Sequence, residues 1–212
     1  MSEASLGIEE RSMRIIESEI GTHDYTAPQW SIVRRVIHAT ADFDFAKPYR
    51  NGIIFSANAI ESAFEALKKR RYIVVDVDMV LSGINKKSAA KIGTSVICNI
   101  SNKDVLNISK NENKTRSKVA MRYSSKEVDG GIVVIGNAPT ALYELVNMIK
   151  EDVARPLLVV GIPVGFVSAE ESKLELSKTN IEFITNIGRK GGSPAASSII
   201  NALMLMYINN LD

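Results

Sequence analysis

Five short, mostly apolar and largely β-branched runs punctuate the chain, at positions 72–75, 95–98, 132–135, 157–160 and 181–184. A strand with one wet face alternates apolar and polar residues. Runs such as Ile132-Val133-Val134-Ile135 do not, which predicts strands buried on both faces, as in a parallel sheet. The intervals carry helical spacing at 104–109, 114–123, 140–150 and 169–178, and a last helix is predicted over 195–207. Ahead of the first strand, Ile8, Ile15, Ile16 and Ile20 share one helical face, and Gly21 is placed to end that helix in a left-handed cap. A second helix opens at Thr26, with Gln29 completing a capping box and Pro28 in the first turn, where a missing N–H does no harm. Its apolar positions are Trp30, Val33 and Ile37. A third, over 57–69, carries Ile60, Phe64 and Leu67. Strands alternating with helices predict an α/β fold: a single-domain, mostly parallel open sheet of about five strands with helices on both faces. The polar stretch 99–114 reads as a surface excursion.

Composition changes this picture little. The 212 residues are 45% hydrophobic and 24% charged, which favours one domain over 1–212 with a substantial core. A net charge of +2, dispersed, and 6% aromatic residues give no basic stripe with stacking partners, so no nucleic-acid partner is expected. The opening Met1-Ser2-Glu3-Ala4-Ser5 lacks a basic, then apolar, leader, and no apolar run approaches the roughly 18 residues of a membrane span. No membrane partner and a cytoplasmic location are expected. The lone Cys98 excludes an intrachain disulfide and, at a strand end, reads as core filler. His23 and His38, the two histidines, lie far apart without ligands at metal spacing, so no metal site is expected. His23 reads as a solvated turn residue.

In an open α/β sheet, ligands bind beyond the carboxyl ends of the strands. There the chain reads Asp76-Val77-Asp78-Met79, Gly136-Asn137-Ala138-Pro139-Thr140, Gly161-Ile162-Pro163-Val164-Gly165-Phe166 and Gly188-Arg189-Lys190-Gly191-Gly192-Ser193. The last precedes a helix, and its glycines, helix N-terminus and two cations suit an anion. Taken alone it is equally a turn that reverses the chain. It is neither a phosphate loop nor a dinucleotide fingerprint. On the second helix Arg34 and His38 share a face, one turn apart, ahead of the acceptors Asp42 and Asp44. An imidazole can give up a proton near neutrality, although a lone histidine on such a helix is also consistent with a core residue bonded to a carbonyl. Ser12, mid-helix, reads as a solvent-facing hydroxyl.

Together, Val36-Ile37-His38-Ala39-Thr40-Ala41-Asp42-Phe43-Asp44, Asp76-Val77-Asp78-Met79-Val80 with Gly83-Ile84, Gly136-Asn137-Ala138-Pro139-Thr140-Ala141-Leu142, Pro163-Val164-Gly165-Phe166-Val167 with Glu171-Ser172-Lys173, and Gly188-Arg189-Lys190-Gly191-Gly192-Ser193 with Asn201-Ala202-Leu203 resemble the precorrin-8X methylmutase family over nearly the whole chain. The resemblance implies an isomerase of cobalamin biosynthesis that moves a methyl group from C-11 to C-12 of a corrinoid, giving hydrogenobyrinic acid or its cobalt counterpart, cobyrinic acid. It implies no redox or nucleotide cofactor, and a homodimer. His38 matches the catalytic histidine. The substrate bears many carboxylates, for which Arg34, Arg116, Arg189 and Lys190 are candidate partners. Further substrate contacts implied are Ser12, Thr40, Asp42, Asp76, Met79, Asn137, Thr140, Ser172, Lys173, Gly191, Gly192 and Ser193. Competing readings are a tetrapyrrole carrier without turnover and, by fold analogy alone, a nucleotide-dependent enzyme.

Overall fold

Residues 3–47 and 51–211 are described by the computed structural model, with side chains from residue 7 onward. Among them are six strands: β1 (Ile53–Phe55), β2 (Ile73–Val75), β3 (Val96–Ile97), β4 (Ile132–Ile135), β5 (Leu158–Gly161) and β6 (Phe183–Asn186). The helices are α1 (Glu3–Ile20), α2 (Ala27–Thr40), α3 (Ala59–Lys68), α4 (Asp78–Gly83), α5 (Lys86–Ile92), α6 (Lys103–Asn111), α7 (Arg116–Tyr123), α8 (Ser125–Val128), α9 (Pro139–Lys150), α10 (Ala169–Ser177) and α11 (Ser193–Asn209). They form one α/β domain around a sheet of order β1-β6-β5-β4-β2-β3. β2 to β6 run parallel, and β1 pairs antiparallel with β6.

From β2 the chain winds outward to β3, then returns to place β4 on the other side of β2. That reversal opens a crevice at the carboxyl ends of β2 and β4. Of the predicted apolar strands, β2, β4 and β5 are buried on both faces as expected, whereas the edge strand β3 is only partly buried. Ile73, Val75, Ile132, Val134, Leu158 and Val160 pack under α2, α3 and α11, whereas Val74, Val133, Ile135 and Val159 pack under α9. Fully burying one such side chain contributes about 1.5–3 kcal/mol, and β4 buries all four of its own.

α2 starts at the expected capping box: the Thr26 N–H donates to Gln29 Oε1 at 3.0 Å, and the Gln29 N–H to Thr26 Oγ1 at 3.5 Å. α1 ends at Gly21 with φ +67°. Three expectations are corrected. There is a sixth strand, β1, three residues long and antiparallel; it is too short to carry a period and exists because β6 offers it an edge. β6 itself runs two residues beyond the apolar run at 181–184, because its last residues are buried but polar: Thr185 Oγ1 donates to Gly161 O at 2.6 Å, and Asn186 bonds the loop that follows. His23, read as a solvated turn residue, instead stacks on Trp30 with ring centroids 4.1 Å apart, leaving its Nδ1 buried without a hydrogen bond. The indole draws it off the solvent. Among the described residues no helix is long and apolar enough to cross a membrane.

Candidate active site

Asp76 sits at the crevice, at the end of β2, 2% exposed. Its carboxylate accepts the N–H groups of Gly136 (3.1 Å), Asn137 (2.8 Å) and Ala138 (2.7 Å), closing the turn from β4 into α9. Burial pushes its pKa up, against the pull of those three donors. Expected at the substrate, it is buried here against the strand-end turn, which its three bonds shape. The Asn137 side chain, on that turn, is exposed. Thr140, in the first turn of α9, shares a 2.7 Å hydrogen bond with Ser117 Oγ of α7, beside exposed Arg116.

The loops after β5 and β6 are stitched to each other. Gly165 N–H donates to Arg189 O at 3.1 Å and Gly192 N–H to Ile162 O at 3.0 Å. A Cβ at Gly191 would lie 2.3 Å from Ile162 O and 2.7 Å from Pro163 O, so only glycine allows this approach. Gly191→Ala is therefore expected to destabilise the protein by about 1–3 kcal/mol by forcing the loops apart; a thermal melt checks this. Ser172 and Lys173 lie beneath. Ser172 is fully buried and donates to Ala169 O at 2.9 Å. Lys173, 2% exposed, donates to Gly188 O at 2.9 Å and Lys190 O at 2.6 Å. Burial brings its ammonium down to about 7, and either protonation form keeps enough N–H groups for both carbonyls. Both were expected to touch substrate; in this structure both are buried, with Lys173 bonded to carbonyls of the loop and Ser172 within its own helix.

His38 lies on the last turn of α2. Its neighbours Val36 and Ile37 are buried, but the imidazole is exposed and has no hydrogen-bond partner among the described residues. It is no core histidine. Ala41, at φ +52°, ends the helix in a left-handed cap. Asp42 then caps a 3-10 turn through the Asp44 N–H at 3.0 Å. Lys190 reaches across from the β6 loop to Asp42 Oδ2 at 2.7 Å and Asp44 Oδ2 at 2.8 Å. The Lys190 bond, then that from Lys47, hold the Asp44 carboxyl down at about 2. Lys190 and Asp42, both expected at the substrate, are thus engaged with each other and fix the histidine end of α2 to the glycine-rich loop. Arg34 is paired with Glu17 of α1 at 2.6 Å. That pair is half exposed and worth little, about 0–1 kcal/mol, so it can be exchanged. Thr40 Oγ1 donates to Val36 O at 2.8 Å, within its own helix, and Ser12 Oγ likewise donates to Ile8 O at 2.9 Å.

A shallow groove of about 340 Å³ is lined by Ala39, the residue after His38, together with Met79, Ser193, Pro194, Ser198 and Asn201. Met79 is 70% exposed along it. Asn201 braces one wall: its Oδ1 accepts the Asn85 N–H at 2.8 Å and its Nδ2 donates to Gly83 O at 2.9 Å. Gly192 and Ser193 start α11 at the same place. Beyond the groove project Phe166, 88% exposed, and Val167, 80% exposed, with the Arg189 guanidinium 5.8 Å from the Phe166 ring. These two apolar residues were not singled out as contacts, although an aromatic following a strand-end glycine was there to be read. A larger cavity of about 500 Å³, lined by Thr26, Phe55, Glu61, Phe64 and Met206, lies at the opposite ends of α2 and α11, away from the strand ends. Burial pushes the Cys98 thiol up to about 12, which disfavours its thiolate.

An exposed imidazole, an exposed arginine, apolar side chains facing solvent and a groove over the strand ends suit a flat, partly apolar, carboxylate-bearing ligand. Residues 7–206 match the family described as precorrin-8X methylmutase. The chain is 46% identical to a cobalt-precorrin-8 methylmutase of Priestia megaterium, across 94% of this chain and 87% of the relative. It is 39% identical to one of Methanocaldococcus jannaschii, across 99% and 97%. A solved precorrin-8X methyl mutase from Thermus thermophilus superposes with a TM-score of 0.87 at 36% identity, covering 96% of this chain and 98% of that one. Fold, motif positions and these likenesses agree: the chain belongs to the precorrin-8X methylmutase family, isomerases of corrin-ring biosynthesis that move a methyl group within the macrocycle.

Proposed function

We propose that this chain moves the methyl group from C-11 to C-12 of precorrin-8X or its cobalt-containing counterpart, with His38 as the proton donor. The observation that carries this is His38 itself, exposed and without a hydrogen-bond partner among the described residues, on the helix turn whose next residue, Ala39, lines the strand-end groove. A proton placed on the macrocycle draws electron density away from C-12 and so favours arrival of the methyl with its bonding pair. Isomerisation has no net proton change, so a proton leaves the ring elsewhere. Arg189, and Arg116 across the crevice, bind peripheral carboxylates, while Met79, Phe166 and Val167 cover apolar ring surface. No redox or nucleotide cofactor takes part.

The working unit is a homodimer in the cytoplasm. A groove of about 340 Å³ covers only an edge of a substrate this large. Ile8 and Ile15, on α1, are exposed apolar residues suited to a second copy. Arg189→Ala is expected to weaken corrinoid binding by about 1.5–3 kcal/mol, the worth of a hydrogen bond to a charged group. Direct titration with product checks this, and unchanged affinity would remove Arg189 from the site.

A further inference from the structure

The loop after β6 shows its carbonyl groups to the protein. Lys173 Nζ takes Gly188 O and Lys190 O at 2.9 and 2.6 Å, the Gly165 N–H takes Arg189 O at 3.1 Å, and Asn186 Nδ2 takes Ile187 O and Lys190 O at 3.1 and 2.9 Å. In a trans peptide the N–H points opposite to the C=O. With three successive carbonyls turned inward, the N–H groups of Arg189, Lys190 and Gly191 are turned outward. None of the three has a hydrogen-bond partner among the described residues.

This arrangement is costly. It keeps a lysine side chain at 2% exposure, and it strands Asn186 Oδ1 in the interior without a partner so that Nδ2 can face the loop. An unsatisfied buried acceptor alone costs about 1–3 kcal/mol. A turn that only reversed the chain would need neither group. Successive outward N–H groups form a concave anion receptor, and here Arg189 adds a guanidinium to the same segment.

We propose that Lys173 and Asn186 are positioning residues that turn the N–H groups of Arg189, Lys190 and Gly191 outward to receive one peripheral carboxylate of the corrinoid. This rests on the corrinoid reading of the site. Lys173 acts from beneath and touches no substrate.

The test is amide NMR of the ¹⁵N-labelled full chain titrated with metal-free hydrogenobyrinic acid, which is diamagnetic. In the wild type the amide protons of Arg189, Lys190 and Gly191 should move downfield together as the site fills. In Lys173→Met those three shifts should shrink and affinity fall about tenfold, while perturbations around His38 and Met79 persist, a pattern that loss of fold would not give. Asn186→Ala should give the same pattern more weakly and serves if Lys173→Met does not fold. Binding that perturbs His38 and Met79 but leaves the three amides unmoved would overturn the receptor. Shifts and affinity unchanged in a folded Lys173→Met would overturn the positioning role. No binding anywhere would remove the corrinoid reading, and this inference with it.

Discussion

His38→Ala is expected to slow methyl migration about 10²- to 10⁴-fold, the usual contribution of a positioned general acid. At 1.36 kcal/mol per tenfold this is roughly 3 to 5 kcal/mol of barrier. Stability should hardly change, within about 0.5 kcal/mol, because the side chain is exposed and without a hydrogen bond among the described residues. The helix that carries it is held by Ile32, Val33, Val36 and Ile37, all buried, so truncation opens no cavity. Corrinoid affinity should also persist, since Arg116, Arg189 and the glycine-rich loop are untouched. Thermal melting, product titration and single-turnover kinetics separate the three quantities. A folded, binding-competent His38→Ala protein that turned over within a few fold of wild type would end the assignment of the proton to His38.

Asp76→Ala is expected to act in the opposite way, on the fold first. The substitution leaves three N–H groups, two buried (Gly136 and Ala138) and one part-buried (Asn137), without their acceptor. A single donor left unsatisfied costs about 1–3 kcal/mol, and the three share one turn that can relax, so a total of about 3–5 kcal/mol is expected. At roughly 2–4 °C per kcal/mol for a chain this long, the melting temperature should drop by about 6–20 °C. Asp76→Asn keeps the shape but turns an amide N–H₂ toward at least one of the donors, and should fall between. Activity should fall with the folded fraction and with loss of the turn that carries Asn137 and Thr140. A melting temperature within about 2 °C of wild type would show that water or a rearranged turn replaces the carboxylate.

How much of this was legible depended on whether a residue's neighbours in space were also its neighbours in sequence. Ile132-Val133-Val134-Ile135 declared a doubly buried strand because all four positions meet the same environment. Thr26 and Gln29 declared the start of α2 because a capping box is local. β1 could not be read, since three residues carry no period and its partner lies about 130 positions further on. Within the site, the glycine-rich strand ends and His38 stood out by type and place. The roles of the polar residues around them did not. Asp76, Ser172 and Lys173 sit in the same motifs as residues that face the groove, and only packing shows that they point inward to backbone groups. Lys190 looked like a free cation until Asp42 and Asp44, almost 150 residues earlier, were brought to it. Phe166 stood in a strand-end stretch without a role, since only the fold shows that its ring faces solvent.

The most direct measurement follows the methyl group itself. Desalted wild-type protein is incubated with precorrin-8X carrying ¹³C in the C-11 methyl, in excess over protein and without added cofactor, and the label is tracked by NMR. The expected result is catalytic conversion, with the label appearing on C-12 over many equivalents per protein molecule. Tight, stoichiometric binding with the label still on C-11 would contradict it and leave a protein that carries the macrocycle without rearranging it.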